Sequence, residues 1–396
     1  MTAHVLQLIH NLKREGAQTM AVNLVTSLDR EVARVTVFSW RGGGPYAINL
    51  KNAGIEVTEP VRPGFAARIR SAFHLRRLIR KGDVDLVHTH MSDSAILAAI
   101  ALLGTGTPFI VTHHSNRLLP KEARPKHLAR RWLLRWATGR AALNVGVTAT
   151  VAARLKEELG LPPNRIGCIA NGVAIPDSAA AQAARRERRA RWGGPGWPHL
   201  VALGRLADVK RQDTIIEALS RLRRQLPGAQ LTIAGDGPLR DSLAERASRL
   251  DLQAAVDLVG PIDDVGRLLR QADFFVSTSS YEGLPVAVLE AMSWGVPVIV
   301  TDVPGHCDVV RDRIDGCLVP FDDPAALADS IARLAADQDA AESLASAARQ
   351  RASSDFSATA MAQTYALAYL SALDPAGAII RGEDSSNSLL ESTTRL

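Results

Sequence analysis

Glu282 and Glu290 are the residues in this chain whose types and spacing point most directly to chemistry. They stand with seven residues between them in the run Ser280-Tyr281-Glu282-Gly283-Leu284-Pro285-Val286-Ala287-Val288-Leu289-Glu290. Apolar segments at 274–278 and 295–300 flank the run and read as buried strands. Pro285 suits the first helical position, where a missing N–H costs nothing. Glu282 would then lie in the loop before a helix and Glu290 one to two turns inside it. The unsatisfied amides at a helix start favour phosphate or sugar hydroxyls, and two carboxylates beside them can each accept hydrogen bonds from vicinal hydroxyls. That combination suits a sugar nucleotide. The competing reading is a turn glutamate followed by a solvated helical one.

A second constellation follows the strand-like residues 200–203: Gly204-Arg205-Leu206, then Lys210, then a helix from about residue 213. Glycine frees the backbone at the strand end. Arginine offers a planar fork and lysine a point charge, and together they suit a diphosphate. Two solvated cations near a helix start is the alternative. Gly235-Asp236-Gly237-Pro238 reads as a structural turn, and Gly260 and Ile262 close another strand. Neither a G-x-G-x-x-G fingerprint nor a Walker-type phosphate loop is present.

In the first half, Gly16 follows the first strand and opens a helical stretch, while Gly42-Gly43-Gly44 reads as a flexible loop. His88 and His90 share one face of a strand but lack further ligands at zinc spacing. Val111-Thr112-His113-His114-Ser115 ends another strand. Asp83-Val84-Asp85 begins a strand, the wrong edge of a parallel sheet for a metal, so it reads as solvated. No metal is expected, since Arg205 and Lys210 can neutralise a diphosphate.

The elements that must position these residues alternate from end to end. Strand-like runs at 4–9, 35–39, 55–57, 86–89, 109–112 and 143–147, then 200–203, 231–234, 256–259, 274–277 and 298–300, are separated by helix-length amphipathic runs. This is the pattern of α/β doubly wound parallel sheets, whose ligands bind at the carboxyl edge. We expect a first Rossmann-like domain at 1–175, a linker at 176–198 where Ala/Arg-rich sequence meets Gly- and Pro-rich sequence, a second at 199–353, a closing helix at 354–374, and a disordered tail at 375–396.

These motifs closely resemble those of glycosyltransferase family 4, the retaining GT-B enzymes, and the resemblance covers nearly the whole chain. It implies two Rossmann-like domains facing a cleft, with a closing helix that returns to the first domain. It implies that Glu282 contacts the donor sugar, Glu290 the nucleotide ribose, Arg205 and Lys210 the diphosphate, and Gly204, Gly283, Leu284 and Pro285 the surrounding loops. The base would be met by backbone near Gly260 and Ile262. Gly16 would approach phosphate or sugar, although this chain keeps one glycine where the family commonly has two. The family's Thr-x-His pattern selects His114 beside the transferred sugar, with His113 as substitute. The resemblance implies transfer of a hexosyl group from a UDP- or GDP-sugar to a glycan or lipid-linked acceptor. A GT-B sugar-nucleotide epimerase, a non-catalytic scaffold and an anionic-polymer-binding protein are the other readings.

Composition bounds the setting. A chain of 396 residues accommodates two domains. Cys168, Cys307 and Cys317 form neither a disulfide framework nor a metal motif, which fits a reducing cytoplasm. The start lacks signal-peptide features, and the longest apolar run, 95–103, falls short of the roughly 20 residues that span a bilayer. Charge is divided unevenly: residues 1–180 hold 24 Lys and Arg against 12 Asp and Glu, and the remainder 23 against 29. Residues 121–140 mix basic residues with Leu128, Trp132, Leu133 and Trp136 on one helical face. Peripheral contact with an anionic membrane and packing on the sheet are both open readings. No nucleic-acid-binding motif accompanies the basic half.

Overall fold

The computed structural model describes residues 2–59, 65–81, 83–115 and 125–374. The chain divides into two compact units, Met1–Gly172 with Ala358–Leu396, and Val173–Ser357. The expected tail at 375–396 lies outside the described residues.

The first unit holds seven strands: β1 Ala3–Ile9, β2 Ala33–Ser39, β3 Glu56–Thr58, β4 Leu86–His90, β5 Phe109–His113, β6 Leu143–Gly146 and β7 Ile166–Cys168. All are parallel, in the order β3-β2-β1-β4-β5-β6-β7. The second unit repeats the plan with β8 His199–Leu203, β9 Gln230–Ala234, β10 Val256–Gly260, β11 Phe274–Ser277, β12 Val298–Thr301 and β13 Cys317–Val319, in the order β10-β9-β8-β11-β12-β13. The expected doubly wound α/β class is therefore borne out twice. Helices cover both faces, which is why β4, β5 and β12 are buried throughout; each begins apolar and turns to Thr or His only toward its carboxyl end. In each sheet the strand order reverses once, between β1 and β4 and between β8 and β11. The loops leaving the carboxyl ends at such a point diverge and open a crevice.

The last described helix, Ala358–Leu373, completes the first unit: Met361, Ala362, Tyr365 and Tyr369 pack against Val5, Leu86, Ile110 and Val145. In the second unit Leu200, Ile216, Leu219, Ile233, Phe274 and Ile331 belong to one core.

Several expectations need correction. Residues 176–198 contain the helix Ser178–Arg191, which belongs to the second unit rather than to a linker. Arg188 on this helix is buried and donates to the carbonyls of Gly295 (2.6 Å) and Ala272 (3.5 Å), while Arg191 pairs with Asp273. The three-residue strands β7 and β13 were not expected, being too short to show periodicity. The Gly42–Gly44 loop is packed at one end: a Cβ on Gly44 would collide with the backbone at Leu12 and Lys13, whereas Gly42 has open space. Asp85 is not simply solvated, because its carboxylate accepts the His4 amide at 2.8 Å at the amino edge of the sheet.

Candidate active site

In the second unit the polar residues gather where β8 and β11 part. β8 ends at Leu203, and Gly204 turns the chain with φ +143°. A Cβ on Gly235, at the end of β9, would collide with the Gly204 carbonyl, so the two strand ends close up only as glycines. Arg205 then projects exposed, and among the described residues its guanidinium makes no hydrogen bond or ion pair. Lys210 ends a short 3-10 turn, and Arg211 behind it takes the left-handed conformation at φ +47°. That uncommon geometry for a side chain is held by Asp213, Asp322 and the Thr278 hydroxyl, which donates to the Arg211 carbonyl at 2.7 Å. Ser280 N–H also donates to the Val209 carbonyl at 2.8 Å. The loop after β11 therefore fixes the loop that presents Lys210.

Glu282 meets Lys210 directly. The ammonium lies 2.6 Å from Oε1, and the Ser279 hydroxyl donates to the same oxygen at 2.6 Å. Burial pushes the Glu282 carboxyl up, but Lys210, His306 and Ser279 outweigh it and hold it below the ordinary glutamate value. Glu282 is thus a fixed anion at neutral pH. Its backbone leans on the turn after β12: Glu282 N–H donates to the Pro304 carbonyl at 3.1 Å. Gly305 has φ +92°, and a Cβ there would meet the Glu282 carbonyl at 2.6 Å. His306, fully buried, bonds Ser277 and Thr301, and burial lowers its pKa to about 4.

Glu290 has the opposite environment. It lies on the helix Val286–Ser293, and burial alone raises its carboxyl to about 7. Among the described residues no donor reaches that carboxylate. Gly283, Leu284 and Pro285 are buried ahead of the helix. Pro285 is the N-cap rather than the first helical residue, and its carbonyl accepts from Val288 at 3.0 Å. Gly260, with φ +74°, gives its carbonyl to the Gly235 amide at 2.8 Å, and Ile262 is half-buried. This edge of the unit therefore offers two cations, a fixed anion, and a carboxyl without donors. Such a set can bind a diphosphate and a diol.

The first unit gathers its polar residues at the other reversal point. His88 and His90 on β4 are fully buried beside Gln7 on β1, and His114, just past β5, reaches His90 at 3.3 Å. His113 points elsewhere, to Asn144 at 3.4 Å, and is buried. Gly16 is exposed at the first position of the helix Gly16–Ser27. Among the described residues no group of three His, Cys, Asp or Glu side chains is arranged to hold a metal.

The motif reading passed over His306, Gly305 and the Thr278–Ser280 stitches. The signal available was placement: each follows a strand at the carboxyl edge of the sheet, where ligands bind.

Two family models match the chain. The model for glycosyl transferases group 1 covers residues 186–351, and the model for glycosyltransferase family 4 covers residues 14–175. Glycogen synthase of Mycobacterium tuberculosis strain H37Rv is 32% identical over 318 residues, spanning 76% of this chain and 73% of that protein. The chain belongs to glycosyltransferase family 4. A further relative of this family 4 chain, the UDP-Gal:alpha-D-GlcNAc-diphosphoundecaprenol alpha-1,3-galactosyltransferase of Escherichia coli, is 28% identical over 276 residues, 68% of this chain and 71% of that one. Among solved structures, Anabaena Alr3699/HepE in complex with UDP and glucose superposes with a TM-score of 0.78 at 20% identity. The match covers 93% of this chain and 99% of that one, which establishes the GT-B fold. The family 4 chain is accordingly a hexosyltransferase. No described helix is long and apolar enough to cross a membrane.

Proposed function

We propose that the enzyme moves a hexosyl group from a UDP- or GDP-sugar, with retention, to a hydroxyl of a glycan or lipid-linked acceptor in cell-surface polysaccharide or glycolipid assembly. The single observation carrying the donor assignment is the cluster at the β8–β11 reversal: exposed Arg205, Lys210 paired with Glu282, and Glu290 without donors. In this reading Arg205 and Lys210 neutralise the diphosphate as it leaves, Glu282 orients the sugar, and Glu290 takes the ribose hydroxyls. The leaving phosphate accepts the acceptor's proton, so no side chain has to act as nucleophile. Charge that grows on the diphosphate is what fixed cations stabilise best. Gly260 and Ile262 would serve the base.

A metal-free reaction is part of the proposal, supported by the two cations. Asp83 and Asp85 lie at the amino end of β4, the edge opposite to ligand loops.

We also place the enzyme at the cytoplasmic face of an anionic membrane, without nucleic acid as a partner. The helix Pro125–Arg140 supports this through an exposed Leu128 (56%) and Trp132 (66%) beside exposed Arg131 and Arg135. The expected single apolar stripe is split, however. Trp136 packs against the core with buried Ala137 and Ala141 behind it, so only the first half of the stripe faces out. Of the other basic residues, Arg62 and Lys121 and the side chains of Arg68 and Lys126 lie outside the described residues.

The test is incubation with a panel of UDP- and GDP-sugars and acceptors, following nucleotide release and the sugar's configuration. Acceptor-dependent release with retention is expected. Conversion of the free sugar nucleotide without acceptor would make the protein an epimerase, and thermal stabilisation by nucleotides with no release would make it a binding scaffold.

A further inference from the structure

Beneath His114 runs a buried chain of hydrogen bonds that the proposed reaction leaves unused. Gln7 Nε2 donates to the Tyr369 hydroxyl at 2.9 Å, and that hydroxyl lies 2.8 Å from His88 Nδ1. His88 Nε2 lies 2.7 Å from Thr112 Oγ1, which meets the Tyr365 hydroxyl at 2.8 Å. On the other side, His90 Nε2 lies 2.8 Å from Gln7 Oε1, and His90 Nδ1 lies 3.3 Å from His114 Nε2. Every one of these partners except His114 is buried.

Proton positions follow from what each atom can do. The Gln7 oxygen can only accept, so His90 must carry its proton on Nε2. Burial lowers the pKa of His90 well below its ordinary value, as it does for His88 and His114, so the rings are neutral. His90 Nδ1 is then a bare acceptor, and His114 must donate to it from Nε2. That leaves His114 Nδ1 with a lone pair, buried and, among the described residues, without a partner. A buried acceptor left unsatisfied costs stability unless something else supplies a donor. The backbone locks the arrangement: Met91, directly after His90, has φ +74° and donates its N–H to the Thr112 carbonyl at 3.0 Å.

We propose that Gln7, His90 and Tyr369 are positioning residues that hold His114 in its Nε2–H tautomer, so that Nδ1 accepts a hydroxyl of the bound sugar. The functional half rests on the reading of His114 as the sugar-facing histidine. The tautomer half rests on the hydrogen bonds alone. Because Tyr369 comes from the helix Ala358–Leu373, that helix would take part in setting the site's hydrogen-bond polarity as well as packing the core. The rival arrangement is a Gln7 amide turned over, which reverses every proton in the chain and puts a hydrogen on His114 Nδ1.

The test uses the full-length protein with 15N-labelled histidine and long-range proton–nitrogen correlation, which reports each ring's tautomer. In wild type, His114 should carry its proton on Nε2. His90→Asn keeps an acceptor where Nδ1 was and should preserve that tautomer, whereas His90→Leu should release it. With UDP-glucose and GDP-mannose as probes, His90→Leu should lower turnover about tenfold with little change in KM, and His90→Asn should stay within about threefold of wild type. Thermal melting separates misfolding from misdirection. A wild-type His114 protonated on Nδ1, or equal losses in the two His90 variants, overturns the proposal. Wild-type turnover in His114→Ala overturns the sugar contact and so the functional half.

Discussion

Glu290 gives the most demanding prediction, because its environment fixes both a sign and a size. Burial raises its carboxyl from 4.5 to about 7, and no donor among the described residues offsets that cost. A shift of this size corresponds to about 3 kcal/mol disfavouring the charged form. Ribose hydroxyls donating to the carboxylate would favour the charged form and draw the pKa back down. Binding of a sugar nucleotide should therefore expel a proton near neutrality, and affinity should be full above about pH 7 and lost as pH falls through it. If the bound pKa lies well below 6, the ionised fraction of the free enzyme sets the slope. That fraction rises from about one tenth at pH 6 to about nine tenths at pH 8, an affinity gain of about tenfold. Stability of the free protein should move the other way. A carboxyl raised in the folded state stabilises most below its unfolded value and contributes less as pH rises through about 7. The window is clear of the buried histidines, since burial holds His306 and His113 at about 4 and His88 at about 3. Calorimetric titration of an intact UDP- or GDP-sugar in two buffers of different ionisation heat counts the protons released. Glu290→Gln should bind with a flat pH profile and no release. A flat profile in wild type, or the same slope in the glutamine variant, would refute the reasoning.

The remaining predictions concern the cations, the metal and the membrane. Arg205→Ala and Lys210→Ala should each remove a charge-assisted hydrogen bond worth about 1.5–3 kcal/mol, with turnover falling more than donor affinity. Lys210→Ala should also strand Glu282, whose carboxyl would then rise, so its deficit should deepen toward acid pH while that of Arg205→Ala should not. Full activity in both variants with the true donor would sink the assignment. Turnover should survive EDTA, and complete loss restored by manganese or magnesium would overturn the metal-free reaction. Reversing Arg130, Arg131 and Arg135 to glutamate should reduce co-sedimentation with anionic vesicles by up to about 1 kcal/mol per residue, more at low salt than at high, while leaving nucleotide binding intact. Equal sedimentation on neutral lipid would refute the membrane placement.

Periodicity made the fold legible because central strands of a parallel sheet are buried on both faces, so β5, β11 and β12 stand out as apolar runs. It failed where burial is not apolar. The helix Ser178–Arg191 reads as linker in sequence, yet Arg188 is buried because backbone carbonyls at Ala272 and Gly295 satisfy it. Local composition cannot show acceptors that arrive from about a hundred residues away. The same limit applied to the site. Arg205, Lys210, Glu282 and Glu290 were visible because charged residues in a fixed loop–helix spacing stand out. Gly305 and His306 were not, because their role is to support the Glu282 loop and to fill the space beneath it. A close approach of two backbones leaves no mark on either sequence segment alone.

The two glutamates illustrate why spacing picks out a candidate site while only the structure separates its parts. From sequence they are equivalent carboxylates, one in a loop and one in a helix. In the fold Glu282 is tied to Lys210 and Ser279 and stays ionised, whereas half-buried Glu290 meets no donor among the described residues and desolvation raises its pKa to about 7. Environments that push two like groups apart commonly mark different tasks. An ion pair already made gives Glu282 a fixed position and holds Lys210 beside it, at the cost of having to share that cation with an arriving diphosphate. A carboxyl without partners gives Glu290 a large gain on meeting a diol and almost none on meeting an apolar group. Discrimination for a ribose over a surface lacking paired hydroxyls would then come from Glu290, and orientation at the transferred sugar from Glu282. Exchanging their roles would require moving Lys210, because nothing in the glutamates themselves distinguishes them.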